Sequence, residues 1–170
     1  VHTAIANDFQ NLDAGAAYNA YPGLTQSVTR AAMAVGAKPI YISTDWVMDG
    51  QGDLVAESSY GRPVNTYGSL KALGEQAIRD IAPNTGVICR IGGVMGSHRL
   101  HASMPRSQDV GFGYFVASLV EALGREEEFL VYSGDGVNQV ATPSLAAEIG
   151  ATIARIVDMQ ASGCFHVVAD

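Results

Sequence analysis

The sequence predicts a doubly wound α/β layer structure, a mainly parallel sheet with helices on both faces. Three observations carry this. Short apolar runs of strand length alternate along the chain with longer stretches whose apolar residues recur at helical spacing. Glycines and prolines punctuate the joints between them. Strands that alternate with helices of this length are joined by crossovers, which lay successive strands parallel in one sheet.

The elements follow in order. Val1-His2-Thr3-Ala4-Ile5 reads as the tail of a buried strand. Residues 13–35 form an Ala-rich helical stretch with Leu24, Val28, Ala31, Ala32 and Val35 at helical spacing. Gly36 terminates it in the left-handed conformation, and Pro22 breaks or kinks it. Residues 39–43 are a short apolar run between turn residues, hence a buried strand. The stripe of Leu70, Leu73, Ala77, Ile78 and Ile81 predicts a helix over 66–81, capped by Asn65 or Thr66 and stopped by Pro83. A strand over 87–91, a helix over 112–123 closed by Gly124, and a strand over 129–132 come next. Thr142-Pro143, a capping residue before a proline, predicts the start of a helix carrying Leu145, Ile149, Ile153, Ile156 and Val157. Residues 164–168 end the pattern as a strand. No repeat, low-complexity tract or linker interrupts it, so residues 1–170 read as a single α/β unit.

Composition narrows the function classes. Apolar residues make up 48% of the 170 and charged residues 16%, which excludes a disordered chain. No apolar run approaches the roughly 20 residues that span a bilayer, so no membrane partner is expected. The net charge is -7, and the ten basic residues are scattered, which argues against a nucleic-acid partner. Cys89 and Cys164 lie in strand-like runs and read as buried free thiols of a reducing compartment, and nothing resembles a signal peptide; a cytoplasmic address follows. Asp45 and Asp49 lack a further carboxylate cluster and read as turn or cap residues, so no metal is expected. His2 and His166 in apolar strands read as core histidines. Arg62, His98, Arg99 and His101 read as solvated loop residues or as contacts to a phosphate or sugar.

Ligands of open parallel sheets bind beyond the carboxyl ends of the strands, which directs attention to residues 43–50 and 92–101. Tyr67 and Lys71 stand four residues apart at a helix start and so share one face. A phenol has a pKa near 10 and is a poor acid at neutral pH. A nearby ammonium favours its ionised form and lowers that value. A hydroxyl from a strand end, Thr44 or Ser43, could complete a donor pair on a substrate carbonyl. A Tyr-x-x-x-Lys spacing alone is a weak signal and fits a surface tyrosine beside a solvated lysine better.

The match is not alone. Ser43-Thr44-Asp45-Trp46-Val47-Met48-Asp49-Gly50 follows a strand, then Glu57, then Pro63-Val64-Asn65-Thr66-Tyr67-Gly68-Ser69-Leu70-Lys71, then Glu75. Downstream come Cys89-Arg90, Ala141-Thr142-Pro143 and Gly163-Cys164-Phe165-His166. This order and spacing resembles the extended short-chain dehydrogenase/reductases, and most closely their dTDP-4-dehydrorhamnose reductase-like branch. The resemblance implies a Rossmann-like fold, NADPH or NADH as cofactor, a nucleotide sugar as small-molecule substrate, and a possible homo-oligomer. It makes Tyr67 the general acid, Lys71 the residue that lowers its pKa and holds the nicotinamide ribose, and Thr44 a hydrogen-bond donor to the substrate carbonyl. Asn19 falls where the family has an asparagine linked to a helix irregularity and a relay water. Pro22, lacking an N–H, would leave the Tyr18 carbonyl free for such a water, a plain proline kink being the other reading. Ala4, Ser43 and Ile91 join Tyr67 and Lys71 on the cofactor side, and Asp45, Trp46, Asn65 and Gly93 on the substrate side.

The departures are informative. No G-x-G-x-x-G or G-x-x-G-x-x-G turn occurs in the sequence. The fold is therefore expected to be incomplete at its amino-terminal half and to stop short of the last substrate segment. Trp46 stands where the branch usually has tyrosine, and Ile91-Gly92-Gly93-Val94 carries no aromatic after Arg90. Two other readings stay open: a non-catalytic regulatory or binding module or truncated remnant of the same family, or a sugar-nucleotide epimerase or dehydratase sharing the same Tyr/Lys pair.

Overall fold

The computed structural model describes residues 1–4, 13–51, 54–96, 115–131, 133–138, 140 and 142–169. In chain order these form α1 (Ala14–Tyr18), a π turn (Asn19–Gly23), α2 (Leu24–Ala34), β1 (Ile40–Thr44) and a 3-10 turn (Asp45–Val47). There follow α3 (Thr66–Ile81), β2 (Val87–Ile91), β3 (Val94–Met95), α4 (Phe115–Gly124), β4 (Ser144–Leu145), α5 (Ala146–Asp158) and β5 (Gly163–Val167). The main sheet has the order β1-β2-β5 and is parallel throughout, with Thr44, Ile91 and Val167 aligned at its carboxyl end. His2 continues the sheet at the free side of β1 by a parallel bridge to Tyr41, its N–H reaching the Ile40 carbonyl at 2.7 Å. β3 and β4 pair separately.

Alternation along the strands divides the core in two, as the period of two requires. Ile40, Val87, Cys89 and Val167 pack with Ile149 and Ile156 of α5, and Tyr41 and Ile88 pack with Ile78 of α3. The sheet is thus covered on both faces, as a doubly wound structure demands. Lys38 fastens the amino end of this layer to the end of α5, donating to the Gln160 and Ala161 carbonyls at 2.7 and 3.0 Å. No described helix is long and apolar enough to cross a membrane.

Three expectations need correction, and two short strands go unforeseen. Pro22 does not end the first helix. The chain widens by one residue around it, and the Leu24 N–H reaches back five residues to the Asn19 carbonyl. In that register the Tyr18 carbonyl faces Gly23 rather than the N–H that Pro22 lacks. Thr142-Pro143 does not start a helix. The residue before a proline is biased toward extended backbone, and Ser144–Leu145 continues that conformation to pair with β3. The helix begins at Ala146 after Leu145, without a side-chain cap. Residues 129–131 form no strand, and Leu130 and Val131 lie exposed, with no sheet neighbour among the described residues. Finally, β3 and β4 pass unseen in the sequence because two residues carry no periodicity. His98, Arg99, His101, Phe112 and Tyr132 lie outside the described residues.

Candidate active site

The site is built where the end of β1 meets the start of α3. Thr44 is extended, and its Oγ accepts the Trp46 N–H at 3.3 Å, turning the chain into the 3-10 turn. Asn65 caps α3 by accepting the Gly68 N–H on its Oδ1 at 2.8 Å. That places Tyr67 in the first helical turn and Lys71 one turn on. Gly68 is required here: the Trp46 carbonyl sits where a Cβ would stand. This close approach lets the two segments bring Thr44 and Tyr67 side by side.

The Tyr67 ring stands between two aromatic edges, Tyr21 at 6.2 Å and 87° and Trp46 at 6.1 Å and 79° between ring centroids and planes. Burial pushes its phenol up to about 12, with the charges of Tyr21 and Asp45 adding and a hydrogen bond with Thr44 pulling the other way. The expected depression by Lys71 is therefore not what this geometry gives. Lys71 is 4% exposed and its Nζ donates to the Ile42 carbonyl at 2.5 Å, above the Tyr41 ring. Burial lowers its pKa to about 8, while Glu75 pulls it up.

Asp45 accepts from the Thr44 hydroxyl at 3.1 Å on one carboxylate oxygen; its buried Oδ2 has no hydrogen-bond partner among the described residues. Burial raises its pKa, with Thr44 and the N–H groups of Thr142 and Trp46 acting against this.

The other expected residues take the following positions. Ser43 is buried, and its hydroxyl donates to Glu75 Oε1 at 2.6 Å, under α3. The Asn65 amide serves the fold at both ends, since its Nδ2 donates to the Gly136 carbonyl at 3.2 Å. Asn19 is exposed in the π turn, its Oδ1 turned over Gly23. Ala4 is exposed past the His2 bridge, Ile91 is half-buried beside Thr44 on β2, and the Gly93 carbonyl accepts the Ser144 N–H at 2.9 Å. Cys89 and Cys164 are free thiols, and burial pushes Cys89 up to about 11.

Beneath the site lies a polar cluster whose arrangement sequence reading missed. Glu75 accepts from Arg90 Nε at 2.9 Å and Nη2 at 2.8 Å, and from Arg79 at 3.0 Å. Arg90 also donates to the Ser59 and Glu57 carbonyls at 3.1 and 3.4 Å, and its Nη1 lies 3.3 Å from His166 Nε2. Alternation foreshadows it, because Ser43, Arg90 and His166 share one register row and one sheet face.

Comparison with known proteins adds a lineage. The sequence pattern of the RmlD substrate binding domain matches residues 5–170. A probable low-salt glycan biosynthesis reductase, Agl14 of Haloferax volcanii, is 35% identical over 135 residues, 76% of this chain and 39% of that protein. A dTDP-4-keto-6-deoxy-D-glucose reductase of Streptomyces niveus is 30% identical over 128 residues, 75% of this chain and 38% of that protein. The chain thus spans well under half the length of these relatives. Among solved structures, dTDP-4-dehydrorhamnose reductase of Bacillus anthracis, in complex with NADP, superposes with a TM-score of 0.71 at 24% identity, over 100% of this chain and 54% of that one. That likeness speaks for the fold.

Proposed function

Because the chain belongs to the RmlD substrate binding domain family, we propose that it is the catalytic half of an enzyme that reduces a keto group on a nucleotide-linked sugar with NADPH or NADH. The observation that carries this is the convergence of Thr44, Tyr67 and Lys71 at the carboxyl end of β1, where open parallel sheets take their ligands. The two reductases that match three quarters of the chain support the substrate class.

The residues present fit the nicotinamide end of such a cofactor. Of the three protons an ammonium can donate, Lys71 gives one to Ile42, which leaves donors for ribose hydroxyls. A bound dinucleotide would supply the hydride. The chain's own residues manage the rest. Thr44 orients the carbonyl oxygen toward Tyr67. Tyr67 gives that oxygen its proton, and a phenol held near 12 keeps the proton until the oxygen needs it. Lys71, one turn along, serves the ribose hydroxyls. Asp45 Oδ2, which has no hydrogen-bond partner among the described residues, suits a sugar hydroxyl next to the carbonyl, and the Trp46 indole offers an apolar wall.

The test is turnover of a dTDP-4-keto-6-deoxy sugar with NADPH by the full chain and its Tyr67→Phe variant. The variant is expected to lose at least ~10²-fold in kcat while still binding dinucleotide. Unchanged turnover removes Tyr67 from the mechanism. Dinucleotide binding without turnover in the unaltered chain supports a regulatory module instead, and an isomerised rather than reduced sugar an epimerase.

A further inference from the structure

Tyr41 touches Lys71 at both ends. It is 2% exposed on β1, one residue before Ile42, whose carbonyl takes the hydrogen bond from Lys71 Nζ. The Tyr41 ring centroid lies 4.6 Å from the same nitrogen. Its hydroxyl reaches the main-chain carbonyl of Lys71 at 3.4 Å. α3 passes this close because residue 74 is glycine: a Cβ there would run into the Tyr41 hydroxyl.

We propose that Tyr41 is the positioning residue of Lys71, seating the ammonium on its ring face and steadying, through its hydroxyl, the helical turn from which the lysine springs. The proposal rests on the reading of Lys71 as the lysine of the reaction. A desolvated cation is attracted to an aromatic face, and only the protonated lysine feels that attraction. Lys71 is 4% exposed and its pKa has come down to about 8, so each neighbour bears on its charge. From β1 it faces the Tyr41 ring and the Ile42 carbonyl. From the amino-terminal segment it faces His2, whose ring centroid is 5.7 Å from that of Tyr41. On α3 it has Tyr67 in the turn before and Glu75 in the turn after, the latter held by Arg90 of β2 and by Arg79. The Tyr41 phenol itself is raised by burial well above the usual range, so the ring stays neutral.

The sequence contains two lysines, Lys38 and Lys71. Carbon-13 at the lysine ε position therefore reads Lys71 directly by NMR titration, with Lys38 as reference and Lys71→Arg assigning the resonance. In the full chain, Tyr41→Phe should leave the Lys71 midpoint within a few tenths of a pH unit. Phenylalanines with one, two and three ring fluorines at position 41 keep the shape while draining the π face. They should lower the midpoint stepwise, by roughly one pH unit in all. Tyr41→Leu should do the same in one step; the fluorinated series decides the matter if that variant does not fold. A midpoint that stays put across the series overturns the proposal and leaves Tyr41 as packing. Turnover of the keto sugar separates the two readings. An alkaline limb of kcat that moves with the midpoint supports both. A midpoint that moves while Lys71→Met keeps its turnover upholds the seat and removes Lys71 from the reaction.

Discussion

Arg90 grips Glu75 through two hydrogen bonds, at 2.9 and 2.8 Å, with both side chains 2% exposed between the sheet and α3. A pair this dry is held by geometry, because desolvation of each ion offsets much of the attraction. Removing one partner strands the other. Arg90→Met alone, or Glu75→Leu alone, is expected to lower the unfolding free energy by about 3–5 kcal/mol, while the double variant loses far less. Urea denaturation of the four proteins measures the coupling. A double variant that loses the sum of the two single losses would mean that the pair is not a unit.

His166 makes folding stability depend on pH. Burial lowers its pKa, the Arg90 charge lowers it further, and Glu57 and Glu75 act the other way. The unfolded histidine titrates near ~6.5, so below that pH the unfolded chain binds the extra proton first and stability falls. The contribution is complete above ~6.5 and is lost as pH drops through the folded value. His166→Gln should therefore show a flatter fall in urea midpoint between pH 7 and 5 than the unaltered chain.

Two helical glycines should respond in opposite ways to the same change. Gly150 in α5 has nothing within 4 Å of a new Cβ. Gly150→Ala should gain up to ~1 kcal/mol from helix propensity. Gly74→Ala carries the same intrinsic gain, yet its Cβ would meet the Tyr41 hydroxyl and ring, so it should destabilise the protein. Thermal melts of both variants give the signs.

Thr44→Val should expose the hydroxyl's part in turnover. The change keeps the shape but removes the acceptor of the Trp46 N–H and the partner of Tyr67. With the proposed substrate, kcat should fall by about 10²-fold, with a smaller change in KM. A loss confined to KM would assign Thr44 to ground-state binding alone.

Much of this was readable in the sequence where the physics is local. The 66–81 helix with its asparagine cap, the 87–91 strand and the four-residue step from Tyr67 to Lys71 follow from periodicity and capping, and all appear at those positions. The Thr44 and Tyr67 meeting was legible through two adjoining motifs. What escaped depends on distant contacts. Ser43 carries no sign that Glu75, 32 residues on, will claim its hydroxyl. Nor does Asn65 announce that Gly136 will take its amide. Neither Tyr21 at the edge of Tyr67 nor Tyr41 beneath Lys71 carries a local sign of its partner. The Thr142-Pro143 pair failed as a helix start because the same dipeptide favours extended chain, and the partner strand that decides between them is two residues long.

The π turn at Asn19–Gly23 has a geometric consequence for the first helix. Ala17, Tyr21, Thr25 and Thr29 are all buried, a row spaced by four. On a regular helix such a row drifts about 40° at every step and would wind away from its support. The extra residue in the wide turn winds the row back. It works as a phase correction, so Tyr21 can meet Tyr67 while Thr25, one step later, still reaches His2 at 3.2 Å. Pro22, which a regular helix would reject, is what makes the correction permanent.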